Sequence, residues 1–274
     1  MTTSPSAAAV EVRAVSKIFN PGKANQVDAL VDVNLTVTPG SFVSLIGPSG
    51  CGKSTLLRII GDLTSLTSGT LTVNGKDGAR ARKDQDYGMA FQQAGLFEWR
   101  RVHRNIELPL ELRGWDKAKR RARSEELLEL VQLPTFGNHY PWELSGGMQQ
   151  RVAIARALAI DPALLLMDEP FGALDEMTRE HMQAELLRIC AQTGKTVIFV
   201  THSIPEAVFL SNQVVVMSAR PGRITHVIDV DLGDRSNPDE VRESAEFFKK
   251  ITEVREALRG GGPPTQVSHR GDDR

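Results

Sequence analysis

A glycine-rich loop in the first quarter of the chain carries the residues best suited to hold phosphate groups. The pattern is Gly47-x-x-x-x-Gly52-Lys53-Ser54, preceded by the apolar run 41–46 and followed by the helix-like run 53–60. A loop between a strand and a helix can wrap backbone N–H groups around phosphates, and the helix N-terminus adds its positive end. The lysine reaches the β- and γ-phosphates, and the serine hydroxyl is a ligand for Mg²⁺. The pattern therefore predicts a site for a nucleoside triphosphate and Mg²⁺.

An acidic pair ends a second apolar run. Residues 163–167 lead directly into Asp168 and Glu169. Ligands of open α/β folds bind beyond the carboxyl ends of the strands, which is where this pair is expected to lie. Asp168 is predicted to hold Mg²⁺, directly or through water, and Glu169 to polarise the attacking water. The alternative is a solvated acidic pair at a strand end, which a phosphate loop in the same chain makes the weaker interpretation.

A third element lies between the first two. It is the segment Leu144-Ser145-Gly146-Gly147, which precedes a run with helical spacing of its apolar residues, 150–158. Ser145 and the backbone N–H groups that follow it at a helix start can form an anion site. A helix N-cap without a ligand is the alternative.

The order of these three elements resembles that of the ATP-binding cassette (ABC) ATPases. The resemblance extends over about residues 10–258 of the chain. In that family the segment that matches Ser145, Gly146 and Gly147 caps the γ-phosphate held by the phosphate loop of the opposite subunit. The resemblance implies ATP and Mg²⁺ as ligands. One chain carries one phosphate loop and one segment of the kind at residues 145–147. The resemblance therefore also predicts an ATP-dependent homodimer with two composite sites.

The resemblance assigns roles to further residues. Gln92 matches the glutamine that senses Mg²⁺ and the transport partner, and His202 matches the switch histidine that contacts the γ-phosphate. Asp175 lies in a segment that resembles the D-loop, residues 173–175. Phe19 stands where the family stacks an aromatic ring on adenine, although a core aromatic residue in a strand is an alternative there. The predicted nucleotide contacts of the phosphate loop are Gly47, Ser49, Gly50, Cys51 (through its backbone N–H), Gly52, Lys53, Ser54 and Thr55.

Bulk properties exclude several other classes of protein. The 274 residues carry a formal net charge of -1, which gives no sign of a general nucleic-acid surface. The two cysteines, Cys51 and Cys190, lack the spacing of a zinc site or a disulfide framework. No run approaches the ~20 consecutive apolar residues of a membrane-spanning helix, and the first residues lack the pattern of a secretory signal. We therefore expect no nucleic-acid partner, and any membrane span to belong to another chain.

The order of apolar patterns predicts an α/β fold. Residues 10–19 and 27–37 favour antiparallel strands, residues 98–160 favour helices, and strand and helix patterns alternate from residue 163 onward. Together with the resemblance, this predicts a P-loop NTPase core with a mainly parallel sheet, an antiparallel β subdomain and an inserted helical subdomain at about 98–160. A single domain over 10–258 is expected to end in one helix, about 240–258. Residues 1–9 and 259–274 are expected to be disordered tails.

Three kinds of ABC protein compete for the function. Soluble ATPases of DNA repair or chromosome structure carry a long coiled coil, and the interval 92–144 is too short for one and lacks sustained heptads. Paired-cassette translation factors carry two cassettes. A free-standing cassette favours an importer, and the segments 108–114, 170–175 and 214–224 resemble the ATPase subunits of the nitrate/sulfonate/taurine importer group. A soluble non-transport ABC ATPase remains the alternative.

Membership of that group implies partners and a location. The partners are a transmembrane permease and an extracytoplasmic solute-binding protein that acts through it, and the location is the cytoplasmic face of the cell membrane. The solute would be a sulfonate, nitrate or a related organic solute. Two positions depart from the group's pattern, since Glu98 precedes Trp99 and Ser203 follows His202. Two basic residues, Arg220 and Arg223, are expected to finish a strand turn rather than to bind an anionic solute.

Overall fold

The computed structural model describes residues 8–172 and 174–260. The tails predicted from the sequence therefore lie outside the described residues, apart from 8–9 and 259–260, as does Ala173 of the predicted D-loop segment. Ala9 is part of the fold, because its N–H donates to the Val37 carbonyl (2.9 Å) and its carbonyl accepts from Asn74 (2.8 Å).

The longer strands and helices of the described chain follow one another in the order that the sequence predicts, with the exceptions given below. The strands are β1 (Val10–Phe19), β2 (Val27–Val37), β3 (Phe42–Ile46), β4 (Ser68–Val73), β5 (Lys76–Asp77), β6 (Tyr87–Ala90), β7 (Leu164–Asp168), β8 (Thr196–Val200), β9 (Gln213–Met217) and β10 (Ile224–Asp229). The helices are α1 (Lys53–Ile60), α2 (Gly78–Asp84), α3 (Val102–Leu112), α4 (Lys117–Leu130), α5 (Gly146–Leu158), α6 (Glu176–Thr193), α7 (Ile204–Leu210), α8 (Pro238–Glu243) and α9 (Ala245–Arg259), with a 3-10 turn at Pro141–Glu143. Among the helices of residues 8–172 and 174–260, none has the length and apolarity that crossing a membrane requires.

The larger sheet brings the predicted motifs to one edge. Its strand order is β10-β9-β3-β8-β7-β6, and the strands from β9 to β6 pair in parallel while β10 is antiparallel. Val200 pairs with Leu45 on one side and with Asp168 on the other, so β3, β8 and β7 end level with one another. The segments that follow these three strands are the phosphate loop, the histidine segment and the acidic pair. They must therefore emerge side by side.

The smaller sheet is antiparallel and has the order β2-β1-β4-β5. It begins with the predicted pair β1 and β2, in which Val10 lies opposite Val37 and Phe19 opposite Val27. This pairing places Phe19 at the end of the sheet that adjoins the phosphate loop. The predicted α/β fold, with its parallel core, antiparallel sheet and helical insertion, is thus confirmed.

Alternate residues of the parallel strands enter two hydrophobic cores. Leu45, Leu166 and Val200 pack on one face with α1 and the antiparallel sheet. Ile46, Met167 and Phe199 pack on the other face with α5, α6, α7 and α9. Because both faces are covered, the strands are continuous apolar runs, as parallel strands usually are.

Residues 98–160 contain α3, α4 and α5, which join the second core. Leu110, Leu127 and Leu128 are fully buried between α3, α4 and α5. Asn105, also buried, ties the preceding loop to α3, because its amide donates to the carbonyls of Phe97 and Arg100. Asn105 thus fixes the loop that precedes α3 against the start of that helix.

One helix prediction was wrong and three short elements were missed. The single helix predicted at about 240–258 is two helices, α8 and α9, separated at Ser244, which has extended backbone angles. The Ser244 hydroxyl accepts from Phe247 N (3.2 Å) and donates to the Val241 carbonyl (2.8 Å), so one side chain both caps α9 and ends α8. The missed elements, β5, α2 and β10, are short or lack a strong apolar period.

Candidate nucleotide site

A cavity of about 370 Å³ lies at the carboxyl edge of the parallel sheet, beside the phosphate loop. A larger cavity, of about 740 Å³, lies at the opposite edge, where β3, β8 and β9 begin, and none of the predicted site residues lines it within the described chain. Eight predicted site residues line the smaller cavity: Phe19, Ser49, Gly50, Gly52, Lys53, Ser54, Thr55 and Glu169.

The phosphate loop has the backbone that its glycines permit. Gly50 and Gly52 have φ values of 74° and 102°, a region that glycine adopts readily. A Cβ on Gly52 would also lie 2.6 Å from a Leu30 methyl carbon, so the loop packs closely against β2. Lys53 is buried, and its ammonium donates to the carbonyls of Gly47 (2.8 Å) and Pro48 (3.1 Å). The positive charge is therefore held inside the loop.

Two predicted residues of the loop do not line the cavity. Cys51 is fully buried, and its N–H, which was expected to face phosphate, donates to the Pro48 carbonyl (3.2 Å). A Cβ on Gly47 would lie 2.7 Å from the Met217 carbonyl oxygen. Gly47 and Cys51 thus support the conformation of the loop without lining the cavity.

A hydroxyl and a carboxylate meet at the start of α1. Ser54 Oγ donates to Asp168 Oδ1 over 2.7 Å, and Asp168 is buried at the end of β7. Burial raises the pKa of the Asp168 carboxyl above its ordinary value, opposed by the Ser54 hydrogen bond and the charges of Arg58 and Lys53. Paired hard oxygen ligands suit Mg²⁺, which takes one or two carboxylates and completes its shell with substrate phosphates and water. Among the described residues there is no cluster of three or more Asp, Glu, His or Cys that could hold a metal alone.

Glu169 and His202 are joined across the sheet edge. His202 Nδ1 lies 3.2 Å from Glu169 Oε2, and the Glu169 N–H donates to the Val200 carbonyl (2.9 Å). Glu169 has φ of 47°, which is unfavourable for a residue with a Cβ and costs about 1–3 kcal/mol. This turn takes the chain out of the direction of β7, and the Glu169 side chain lines the cavity.

The segment that carries His202 is fixed by residues that the sequence analysis did not single out. The Thr201 hydroxyl donates to Glu206 and accepts from Ser203 N (3.0 Å). Glu206 is buried and also accepts from Gln183 (3.0 Å), and burial raises the pKa of its carboxyl. Ser203, one of the two positions that depart from the importer group's pattern, has a structural role. Its side chain caps α7 by accepting a hydrogen bond from Glu206 N. A sequence signal existed in the Ser-x-x-Glu spacing of a helix start.

Gln92 follows β6 and is exposed. A Cβ on Gly172 would lie 3.2 Å from Gln92 Nε2, so this amide lies against the turn that follows Glu169. The backbone of that turn is closed by Gly172 N, which donates to the Glu169 carbonyl (3.1 Å). Gln92 is therefore near the acidic pair, although it does not line the cavity.

The remaining predicted nucleotide-binding residues lie at the starts of α5 and α6. Ser145 caps α5 by accepting from Met148 N (3.3 Å), and Gly146 is exposed. A Cβ on Gly147 would lie 2.9 Å from Thr178 Cγ2, so α5 and α6 begin next to each other. Asp175 caps α6, and the Thr178 N–H that it accepts lowers the pKa of its carboxyl. None of these four predicted residues lines the cavity of their own chain.

Comparisons with known proteins give the same family. A family model described as ABC transporter matches residues 30–172. The taurine import ATP-binding protein of Pelagibacter ubique is 43% identical over 90% of this chain and 96% of its own length. The nitrate import ATP-binding protein of a Synechocystis strain is 42% identical over 92% of this chain and 95% of its own length.

A solved structure extends the similarity to three dimensions. It is the dimeric post-hydrolysis state of an ATP-binding cassette bound to ADP and Pi, with a TM-score of 0.72 and 36% identity. The match covers 81% of this chain and 99% of that one. With a phosphate loop, a carboxyl-edge acidic pair and relatives of this similarity, the chain belongs to the ABC transporter family as one of its ATP-binding proteins.

Proposed function

We propose that this chain hydrolyses ATP to drive import of a small polar solute through a separate permease. The observation that carries the proposal is the contact between Glu169 and His202 (3.2 Å) beside a cavity lined by the phosphate loop. It joins a carboxylate suited to activate water with an imidazole suited to meet the γ-phosphate. The cavity also has a half-exposed aromatic residue, Phe19, at its edge for the adenine ring.

Each residue of the site has a part in the proposed reaction. The amides of the phosphate loop and Lys53 hold the phosphates, while Ser54, Asp168 and Gln92 would hold Mg²⁺. When bound, Mg²⁺ would neutralise charge on the phosphates. Glu169 accepts a proton from the attacking water as its oxygen bonds to the γ-phosphorus, and the bond from that phosphorus to the bridging oxygen breaks to release ADP. His202, with Nδ1–H donated to Glu169 and a second proton on Nε2, donates Nε2–H to the γ-phosphate.

A second copy of the chain completes the proposed site. Ser145, Gly146, Gly147 and Asp175 do not line the cavity of their own chain and lie where α5 and α6 begin. The backbone N–H groups at the start of α5 suit the γ-phosphate held by the other copy. The dimeric cassette with bound ADP and Pi, described above, supports this arrangement.

Import requires a partner that crosses the membrane, and the helical segment offers it a surface. Trp99 is 73% exposed and contacts the ring of Phe97 at a centroid distance of 4.9 Å. Exposed aromatic residues of this kind are typical of protein interfaces. Phe97 and Trp99 lie just after Gln92 in the chain. A permease that docks on these two rings would therefore be coupled to the nucleotide through Gln92. We place the chain on the cytoplasmic face of the membrane, with a solute-binding protein acting from outside.

The solute class is drawn from the relatives, whose names specify taurine and nitrate. A sulfonate, nitrate or a related organic solute is therefore proposed. The solute need not contact this chain, since specificity would reside in the permease and the binding protein.

Purification from native membranes tests the transport role. The tagged protein, extracted in mild detergent, should carry with it a polytopic permease that mass spectrometry identifies. A Trp99→Ala variant should lose this partner while it still hydrolyses ATP, which separates docking from catalysis. Recovery of wild type only from the soluble fraction, without a membrane partner even after crosslinking, would support a non-transport ABC ATPase instead.

A further inference from the structure

The turn between β9 and β10 is built into the nucleotide cavity. Gly222 N donates to the Ala29 carbonyl (3.0 Å), and the Gly222 carbonyl accepts from Val31 N (3.0 Å), so the turn pairs with β2. A Cβ on Gly222 would lie 2.0 Å from the Cys51 carbonyl oxygen. The turn is therefore wedged between the antiparallel sheet and the phosphate loop, with no room for a larger residue at position 222.

Hydrogen bonds within the turn hold its shape. Ser218 N donates to the Arg223 carbonyl (2.9 Å), and Ser218 Oγ accepts from Arg223 N (3.0 Å) and donates to the Pro221 carbonyl (3.1 Å). A residue in the middle of this turn consequently has a defined position relative to the phosphate loop. That residue is Arg220.

Arg220 projects its charge over the phosphate loop. Its Nη2 lies 3.5 Å from the Gly50 carbonyl oxygen and 3.3 Å from where a Cβ on Gly50 would stand. The side chain is exposed and lines the cavity together with Phe19, Lys53 and Glu169. Among the residues that the structure describes, no carboxylate forms an ion pair with it, and one long hydrogen bond leaves most of its five N–H donors available.

We infer that Arg220 is a further nucleotide-binding residue, whose guanidinium binds the phosphate chain of the nucleotide in this cavity. The inference rests on the proposed function. A planar guanidinium matches phosphate oxygens in a bidentate manner, and its charge adds to that of Lys53. Lys53 acts from inside the loop, whereas Arg220 acts from the open side. The sequence places Arg220 correctly in a strand turn, but nothing in it indicates that this turn returns to the phosphate loop.

Nucleotide titration calorimetry of the full chain tests the inference. Arg220→Ala should weaken ATP and ADP binding about 5- to 20-fold in EDTA, as expected when a partly exposed charged hydrogen bond to phosphate is lost. Arg220→Lys should fall between wild type and Arg220→Ala, because it keeps the charge and loses the planar fork. Arg223→Ala is the matched control, since Arg223 is exposed in the same turn but does not line the cavity, and it should bind like wild type.

Further measurements separate direct binding from support of the loop. If Arg220 binds phosphate, the loss of affinity in Arg220→Ala should shrink at high salt, and the melting temperature of the nucleotide-free protein should match wild type. Equal ATP affinity in Arg220→Ala and wild type, or a lowered melting temperature without salt dependence, would overturn the inference while leaving the proposed function intact. If wild type itself fails to bind ATP, or binds it no better than Lys53→Ala, the proposed function fails and this inference with it.

Discussion

His202 Nδ1 lies 3.2 Å from Glu169 Oε2, although the two residues are separated by the whole of α6 and β8. The contact exists because β7 and β8 are adjacent parallel strands that end level, at Asp168 and Val200. Glu169 is the first residue after its strand and His202 the second after its own, so the pairing of the strands sets the distance between the two side chains. The contact between this carboxylate and this imidazole is thus a property of the sheet.

The metal prediction concerns Ser54 and Asp168. We expect that Mg²⁺ strengthens ATP binding to wild type, and that this gain is lost in Ser54→Ala, which lacks the hydroxyl oxygen, and in Asp168→Asn, which lacks the carboxylate charge. Hydrolysis should fall with the gain in both variants, whereas binding in EDTA should change little. Titration calorimetry with Mg²⁺ and with EDTA measures the two ATP affinities, and phosphate release measures hydrolysis. An undiminished gain from Mg²⁺ in both variants would contradict the proposed ligands.

The surface at the start of α5 allows a matched pair of glycine variants. A Cβ on Gly146 would meet no atom within 4 Å, so Gly146→Ala should fold normally and keep ATP binding to its own phosphate loop. Turnover should nevertheless fall at least about tenfold, because the added methyl group crowds the approach of a second copy. Light scattering with ATP and phosphate release measure these effects. Wild-type turnover in Gly146→Ala would argue against a composite site.

Gly147 differs from Gly146 because its position is packed. Gly147→Ala should destabilise the protein by about 1–3 kcal/mol, since the new Cβ would lie 2.9 Å from Thr178 Cγ2. Thr178→Ser removes that carbon, and the double variant should recover most of the loss. Urea unfolding of the two single variants and the double variant gives the coupling energy. Additive effects of the two substitutions would exclude this steric explanation.

The pH prediction concerns His103, which is buried in α3 and lies 2.8 Å from Ser124 Oγ through Nδ1. Burial lowers the pKa of this histidine to about 4 from 6.5. The unfolded chain therefore binds the proton more readily than the folded chain. The contribution of neutral His103 to the free energy of unfolding is thus complete above pH 6.5 and declines as the pH falls toward 4. At pH 5 we expect a loss of about 2 kcal/mol from this residue.

The matched variant for that measurement is His103→Gln, which cannot take up the proton. Its free energy of unfolding will be lower than that of wild type at pH 7, because the packing of a buried side chain changes. The difference between the two proteins should narrow by about 2 kcal/mol between pH 7 and pH 5. A constant difference across this range would show that His103 has an ordinary pKa.

The sequence predicts local elements well because their signals are local. Lys53–Ile60 follows a glycine loop and forms the expected helix, and the buried run that ends at Asp168 forms the expected strand. By contrast, nothing in the pattern gives the order of the strands, so the contact between Glu169 and His202 (3.2 Å) is seen only in the structure. The division of the last helix at Ser244 depends on two side-chain hydrogen bonds that compete with the helix backbone.

The candidate site also combines features that the sequence predicts with features that only the structure shows. Phe19 lines the same cavity as the phosphate loop, and it ends the β1–β2 pair, in which it lies opposite Val27. The apolar residues of both strands predict this pair, but the register shifts within it have no signal in the sequence. Arg220 reaches the same cavity through a turn whose conformation depends on Gly222 fitting against Cys51. Such a long-range contact has no period or spacing in the sequence. It could be found only from the structure.

The proposed hydrolysis depends most directly on Glu169, and phosphate release by Glu169→Gln is the decisive measurement. Turnover should fall by about 10² to 10⁴ relative to wild type, because the amide cannot accept the proton of water, while calorimetry should give unchanged ATP affinity. Lys53→Ala serves as the reference variant that loses binding. Wild-type turnover in a Glu169→Gln protein that binds ATP normally would contradict the account.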